Sequence, residues 1–308
     1  MAFSMHSHSG QFCPSHARGT LEEMVQQAIK RNMTHLALTE HMPRINVSDL
    51  YPEEVAEGVS ISEFIPRHKA YLQEVLRLRE RYQKEIKIII GFEGEWITRQ
   101  YGSTIKSLAH DPAVDFFIGS VHHVHGVPID HNAQLYNQAI RLSGGTTQGI
   151  YADYYDLQLE MLVELKPRVV GHFDLIKLLN ADPGRSPKEY GKVWKKIQRN
   201  LQFIVEYGGL LEVNSSGLRK GLPEPYPGRI ICEEVIQLGG RFTLSDDSHS
   251  TVHIATNYER VVHFLETIGV QEVYVLERSD RHHDSERKAE LFVKAVPLSV
   301  VKAALSSE

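Results

Sequence analysis

Short apolar runs of strand character alternate with longer amphipathic runs along almost the whole chain. That alternation restricts the fold more than any other feature, because it is the signature of βα units feeding a parallel sheet. The strand-like runs are FSMHSH (3–8), THLALTEH (34–41), IKIIIGFEGEWI (86–97), VDFFIGSVHHV (114–124), RVVGHFDLI (168–176), GLLEVNSS (209–216) and RFTLSDDSH (241–249). Helix-like runs at 19–32, 62–83, 151–165, 188–208 and 228–240 lie between them. The first begins at Thr20 with Glu23 three residues on, the pattern of a capping box. Further on, 255–269 and 285–296 read as helices around a last strand at 272–277. Seven or eight such units in 308 residues predict an α/β fold, with a closed or distorted (β/α) barrel first and a doubly wound sheet second. No Gly/Ser linker or repeat interrupts the pattern, so one domain over 1–308 is expected. The stretches 42–61 and 125–149 read as long connections, of the kind that are usually functional or mobile.

Bulk composition removes several function classes. The formal net charge of −5 leaves no basic surplus for a nucleic-acid backbone. Two cysteines, Cys13 and Cys232, make no disulfide framework and fit a reducing compartment. No apolar run approaches the roughly 20 residues that span a bilayer. His6, His8 and His16 interrupt any apolar leader segment near the N-terminus, so a cytoplasmic protein is expected.

The 17 histidines are scattered from His6 to His283, which a purification tag would not produce. Many stand at the C-terminal ends of the strand-like runs. The first ends in His6-Ser7-His8 and the second in Glu40-His41. The third passes through Glu93 and Glu95, and the fourth ends in His122-His123. The fifth carries His172 and Asp174, the sixth Asn214, and the seventh Asp247 and His249. In a parallel barrel these ends share one face, where active sites are built. Residues i and i+2 of a strand point the same way, so H-x-H and D-x-H make two-ligand clamps. A donor set of nitrogen and oxygen without thiolate suits zinc, manganese or iron. More than four such ligands imply two or three divalent ions. Taken singly, each histidine reads as an ordinary core, loop or surface residue, and only their joint placement carries weight.

The blocks HSH (6–8), TEH (39–41), GFEGEW (91–96), GSVHH (119–123), GHFD (171–174) and SDDSH (245–249) resemble the polymerase-and-histidinol-phosphatase (PHP) superfamily of metal phosphoesterases. The resemblance keeps block order over nearly the whole chain. It implies a distorted (β/α)7 TIM-like barrel with a trinuclear centre, zinc being the first choice of metal. Carried over by position, His6, His8, Glu93 and Asp247 would hold one ion. Glu93 would bridge to a second ion held by His122 and His172, and His16, His41 and His249 would hold a third. A hydroxide bridging the metals would attack phosphorus, with Asp247, His249 and Arg219 as catalytic residues. Arg219 suits planar contact with a phosphate, with Arg44 as a weaker candidate.

Four positions stay open at this level. His16, in CPSH, follows H-x-H at an unusual spacing. Glu95 competes with Glu93, His123 and His125 with His122, and Asp246 with Asp247. The stretches SGQFCPSHARGTLEEMV (9–25) and LEVNSSGLRKGLPEPYP (211–227) are similar to the histidinol-phosphate phosphatases within the superfamily. The implied activity is hydrolysis of L-histidinol phosphate to L-histidinol and phosphate, in histidine biosynthesis. Arg219, Lys220, Glu95 and Asn214 are then the substrate-binding candidates, with Asp130 and Asp153 as further acids for the cationic end. The implied partner is a small phosphorylated metabolite, with neither nucleic acid nor membrane. A nuclease, or a phosphotyrosine or nucleotide phosphatase of the same family, is the alternative. A non-catalytic regulatory module would have lost ligands, whereas every block here is filled.

Overall fold

Helix Leu21–Lys30 starts where its cap dictates. Thr20 Oγ1 accepts from the Glu23 backbone N–H at 3.2 Å, and Glu23 Oε2 accepts from the Thr20 N–H at 2.7 Å. Two orphan donors of the first turn are thereby satisfied, worth about 1 kcal/mol for the cap residue. Its Leu21, Met24, Val25 and Ala28 face inward at the spacing the sequence shows. This computed structural model describes residues 1–279 and 290–306.

β1 (Ala2–Ser4), β2 (Met33–Leu38) and β3 (Lys87–Ile90) form one parallel sheet in the order β1-β2-β3. After β3 the strand breaks at Gly91-Phe92 and resumes as β4 (Glu93–Glu95). β5 (Ile118–Ser120) is followed by a small ribbon of β6 (His123–Val124) and β7 (Val127–Pro128), then by β8 (Val169–Val170), β9 (Leu210–Asn214) and β10 (Arg241–Ser245). The second parallel sheet has the order β10-β9-β8-β5-β4. The two sheets touch at both flanks. Met5 N donates to Leu244 O at 3.0 Å, and Ser7 pairs in parallel with Ser248. On the other side Glu93 N donates to Glu40 O at 3.0 Å, and His41 pairs in parallel with Glu93.

Ile88, Ile89, Ile90, Val169, Val170, Leu210, Leu211 and Val213 are buried whichever way they point, as expected for strands covered on both faces. Each such aliphatic side chain contributes about 1.5–3 kcal/mol on burial. Gly171 shows why GHFD begins with glycine. A Cβ there would meet Ser120 Oγ at 2.5 Å and Ile118 Cγ2 at 2.9 Å, so only glycine lets this backbone lie against β5. No helix among the described residues is long and apolar enough to cross a membrane.

Two expectations need correction. The run 285–296 is not a helix where it is described. Residues Leu291–Pro297 form β12, antiparallel to β11 (Glu272–Arg278), in register from Glu272 opposite Pro297 to Arg278 opposite Leu291. The N–H and C=O groups of β11 need partners, and that pairing outweighs the helical spacing of the local sequence. Residues 285–289 lie outside the described residues. The connection 125–149 contains helix Ala133–Leu142, capped by Asn132, whose Oδ1 accepts from Leu135 N at 2.9 Å.

Candidate metal centre

The strands deliver their terminal side chains to one buried cluster. His6 and His8 follow β1 and are wholly buried, with ring centroids 5.0 Å apart. The His8 backbone N–H is held by Ser248 O at 2.7 Å, which ties this segment to the one after β10. His41, just beyond β2, stacks on His8 at 4.3 Å. His122 follows β5 and His172 follows β8, with ring centroids 4.8 Å apart. Asp247 and His249 follow β10.

Glu93, at the start of β4, stands at the centre. Its Oε2 lies 3.0 Å from His41 Nδ1, 3.5 Å from His6 Nε2 and 3.7 Å from His8 Nε2. Its Oε1 lies 3.0 Å from His172 Nε2 and 3.4 Å from His122 Nε2. One carboxylate therefore offers a different oxygen to each half of the cluster. Asp247 Oδ1 closes the first half, 3.4 Å from His8 Nε2 and 3.7 Å from His6 Nε2. Three groups have ligand atoms within 4.8 Å of one another: His6, His8 and Glu93; Glu93, His122 and His172; and His8, His41 and His249.

The buried carboxylates give the cluster a field that attracts cations: against their burial, Glu212 and Glu93 raise His6, and Glu93 and Glu95 raise His41 and His122, so protons occupy those rings when no metal does. Burial alone would raise Glu93, but the His122, His6 and His41 imidazoles beside it hold its carboxyl well below the usual range. Asp247 is likewise held low against its burial by His6 and His8. Burial and the neighbouring His41 lower His8 to about 4, and burial with His8 alongside lowers His249 further below its ordinary value. Neutral imidazole is the form that ligates a metal. His6 Nε2 and His8 Nε2 are buried without a hydrogen-bond partner among the described residues. His122 Nε2 and His172 Nε2 face each other at 3.1 Å, so no more than one of them carries the shared proton of a hydrogen bond. Buried lone pairs left this way cost about 1–3 kcal/mol each unless a cation takes them. The all-nitrogen-and-oxygen donor set suits a divalent metal.

The family model for the PHP domain matches residues 4–216. The chain belongs to the PHP family. It is 38% identical over 279 residues to the probable histidinol-phosphatase of Schizosaccharomyces pombe, covering 90% of each chain. It is 33% identical over 328 residues to the histidinol-phosphatase of Saccharomyces cerevisiae, covering 96% of each. Among solved structures it shares its fold with a putative histidinol phosphatase from Listeria monocytogenes (TM-score 0.71, 24% identity, 84% of this chain and 99% of that one). It also shares it with the histidinol phosphate phosphatase of Lactococcus lactis complexed with zinc, L-histidinol and phosphate (TM-score 0.63, 19% identity, 89% and 96%).

Within this PHP chain the remaining site candidates fall in distinct places. His16 stands outside the three ligand groups. Its Nδ1 is 3.0 Å from Glu53 Oε1, its ring is 5.9 Å from His41, and its Nε2 is buried without a partner among the described residues. His16 and Glu53 both line the cavity, and the imidazole whose ligand atom lies within 4.8 Å of those of His41 and His249 is that of His8. Glu95 lies behind His122 and His41, with His122 Nδ1 at 3.2 Å, and accepts from Arg44 Nη1 at 2.6 Å. Arg44 is buried and committed to that pair. His123 packs its ring 5.5 Å from Tyr51, and His125 meets Asp153 at 2.7 Å on the surface.

Asp246 is turned away from the cluster, accepting from Ser4 Oγ at 3.1 Å and Ala255 N at 2.8 Å. Arg219 does not line the cavity. It donates to the backbone oxygens of Asp246 and Asp247, both at 2.8 Å, and the Asp247 oxygen also meets His249 Nδ1 at 2.9 Å. Asn214 is buried in the strand end, donating to Glu212 Oε2 at 3.0 Å and accepting from Ser216 N at 2.8 Å. Lys220 does line the cavity, with Asp130, His131, Glu53 and Tyr51. Sequence reasoning missed Glu53, Tyr51 and Glu212. A signal for Glu212 was present, since LLEVN sets a carboxylate and an amide at i and i+2 in an otherwise apolar strand.

Proposed function

We propose that this PHP chain is a metal-dependent phosphatase that hydrolyses L-histidinol phosphate to L-histidinol and phosphate, the histidinol-forming step of histidine biosynthesis. The observation that carries this is Glu93 shared between two buried imidazole groups at the floor of a polar cavity. The curated relatives that cover most of the chain are histidinol-phosphatases, which supports the substrate. His6, His8, Glu93 and Asp247 would hold one divalent ion; Glu93, His122 and His172 a second; His41 and His249 a third, with His8 beside them and His16 at the rim. Zinc is the first choice, and manganese or iron the alternatives. Divalent ions there would supply Lewis-acid chemistry, lowering the pKa of water and polarising phosphoryl oxygens.

The chain's own groups do the rest. Lys220 brings a cation to the cavity wall, where it meets the phosphate charge. Asp130 and Glu53, which also line the cavity, suit the cationic amine and imidazole ends of the substrate. Arg219 holds Asp247 in place through its carbonyl oxygen, a positioning role. The two sheets, bridged at both flanks, are read as one distorted seven-stranded TIM-like barrel within a single domain over 1–308. Two free cysteines, both buried, suit a cytoplasmic setting.

The test is phosphate release by the purified protein from L-histidinol phosphate, p-nitrophenyl phosphate, AMP and single-stranded DNA, with metal content measured on the same sample. A clear preference for L-histidinol phosphate is expected. Equal or better turnover of another substrate would replace this assignment with a different phosphoesterase activity.

A further inference from the structure

Glu212 is wholly buried in β9, and four donors converge on its carboxylate. Oε1 accepts from His6 Nδ1 at 2.7 Å and from Ser245 Oγ. Oε2 accepts from the His172 backbone N–H at 2.6 Å and from Asn214 Nδ2 at 3.0 Å. His6 and His172 belong to different ligand groups, one on each side of Glu93. From this geometry we infer that Glu212 is a positioning residue that sets the tautomer of His6 and ties the two halves of the proposed metal centre together. The inference rests on that metal-centre reading.

A carboxylate opposite Nδ1 requires the Nδ1–H form of neutral imidazole. Nε2 is then a bare lone pair, and it is this atom that faces Glu93 Oε2 and Asp247 Oδ1. Outer carboxylates that hold a ligating imidazole in this way typically account for a 10–100-fold share of metal affinity. The other oxygen grips the peptide N–H of His172 itself, which sets where that ring leaves β8.

The donors around Glu212 make an isosteric substitution informative. On the Oε2 side both donors are locked. One is a backbone N–H, and the other is the amide of Asn214, whose Oδ1 is engaged by Ser216 N. Glu212→Gln must therefore keep oxygen on that side and present its NH2 to His6 and Ser245. The Ser245 hydroxyl rotates at little cost. His6 accommodates an NH2 opposite Nδ1 only by moving its proton to Nε2, and a protonated Nε2 cannot ligate a metal.

Zinc titration of the metal-free wild type, Glu212→Gln, His6→Ala and the double variant tests this, with circular dichroism to verify folding. Glu212→Gln is expected to weaken one zinc site by about 10–100-fold and leave the others within about threefold. In the His6→Ala background the same substitution should add less than about threefold, because its target is gone. Unchanged affinity in a folded Glu212→Gln protein, or an undiminished effect on top of His6→Ala, overturns the assignment. Long-range ¹⁵N NMR of His6 in the zinc-loaded wild type is a second readout that needs no variant of Glu212. A protonated Nδ1 with zinc on Nε2 is expected, and a proton on Nε2 or zinc on Nδ1 overturns the proposal even if Glu212→Gln does not fold. A wild type that binds no zinc overturns the metal centre itself, which is a different result from a wild type that binds zinc with no dependence on Glu212.

Discussion

Arg219 donates from Nη2 to the carbonyl oxygen of Asp247 at 2.8 Å, and Asp247 is the carboxylate that faces His6 and His8. Asp247 has φ 48°, a left-handed conformation that an L-residue adopts only when its surroundings hold it there. The guanidinium is one of those holds. Arg219→Ala should therefore lower both zinc content and kcat, and destabilise the protein by about 1–3 kcal/mol, chiefly through the buried Asp246 carbonyl that loses its partner. Lys220→Ala should leave zinc content intact and raise KM. Steady-state kinetics paired with metal analysis separates the two, and a purely KM effect of Arg219→Ala would return Arg219 to direct phosphate binding.

Glu93 serves both halves of the cluster, so its loss should cost more than the loss of either flank. Glu93→Gln is expected to lower kcat by roughly a thousandfold or more and to reduce zinc stoichiometry by more than one ion. His172→Ala should cost about one ion. Elemental analysis alongside phosphate release decides it. Chelation of the wild type should also lower its thermal midpoint, because a ligand bound only to the folded state stabilises it.

Asp130 and Glu53 line the same cavity as the proposed metal ligands. Asp130→Asn should raise KM for L-histidinol phosphate by about tenfold, the scale of one charged contact of about 1.4 kcal/mol. Its KM for p-nitrophenyl phosphate, which has no cationic end, should change little. Parallel rises for both substrates would remove Asp130 from substrate discrimination.

His35 and His68 are buried away from the cluster, and burial lowers each to about 4. The unfolded chain binds their protons near pH 6.5, before the folded one does, so the stability they contribute is present above about pH 6.5 and is lost as pH falls toward 4. Each ring is expected to cost about 1–2 kcal/mol by pH 5. Neither ring nitrogen of His68 has a hydrogen-bond partner among the described residues. His68→Leu should therefore flatten the fall in unfolding free energy between pH 7 and pH 5 by that amount. Urea denaturation at the two pH values measures it, and an unaltered slope would show that His68 does not titrate as its burial dictates.

Much of the architecture was legible because it is encoded locally. The Thr20–Glu23 cap, the inward face of helix Leu21–Lys30 and the apolar run into β3 are set by residues within a few positions of one another. The strand Leu291–Pro297 reads locally as helix for the converse reason, since its conformation is imposed by β11 across a ladder. Helix Ala133–Leu142 was passed over inside a connection although Asn132 caps it.

The amino-acid sequence alone determined the alternation of strand and helix, the nitrogen-and-oxygen character of the strand ends and the i, i+2 pairing of His6 with His8. These depend on spacing along one backbone. Tertiary structure alone decided that Asp247 turns inward while Asp246 turns to Ser4 and Ala255, that Glu95 stands behind His122 and His41 in contact with Arg44, and that His16 meets Glu53 in the cavity lining. It alone brought Glu212 under His6, 206 positions away in the chain. Beyond the last ladder residue of a strand, side-chain direction is set by turn dihedrals and by donors from distant strands, and neither leaves a periodic trace in the sequence.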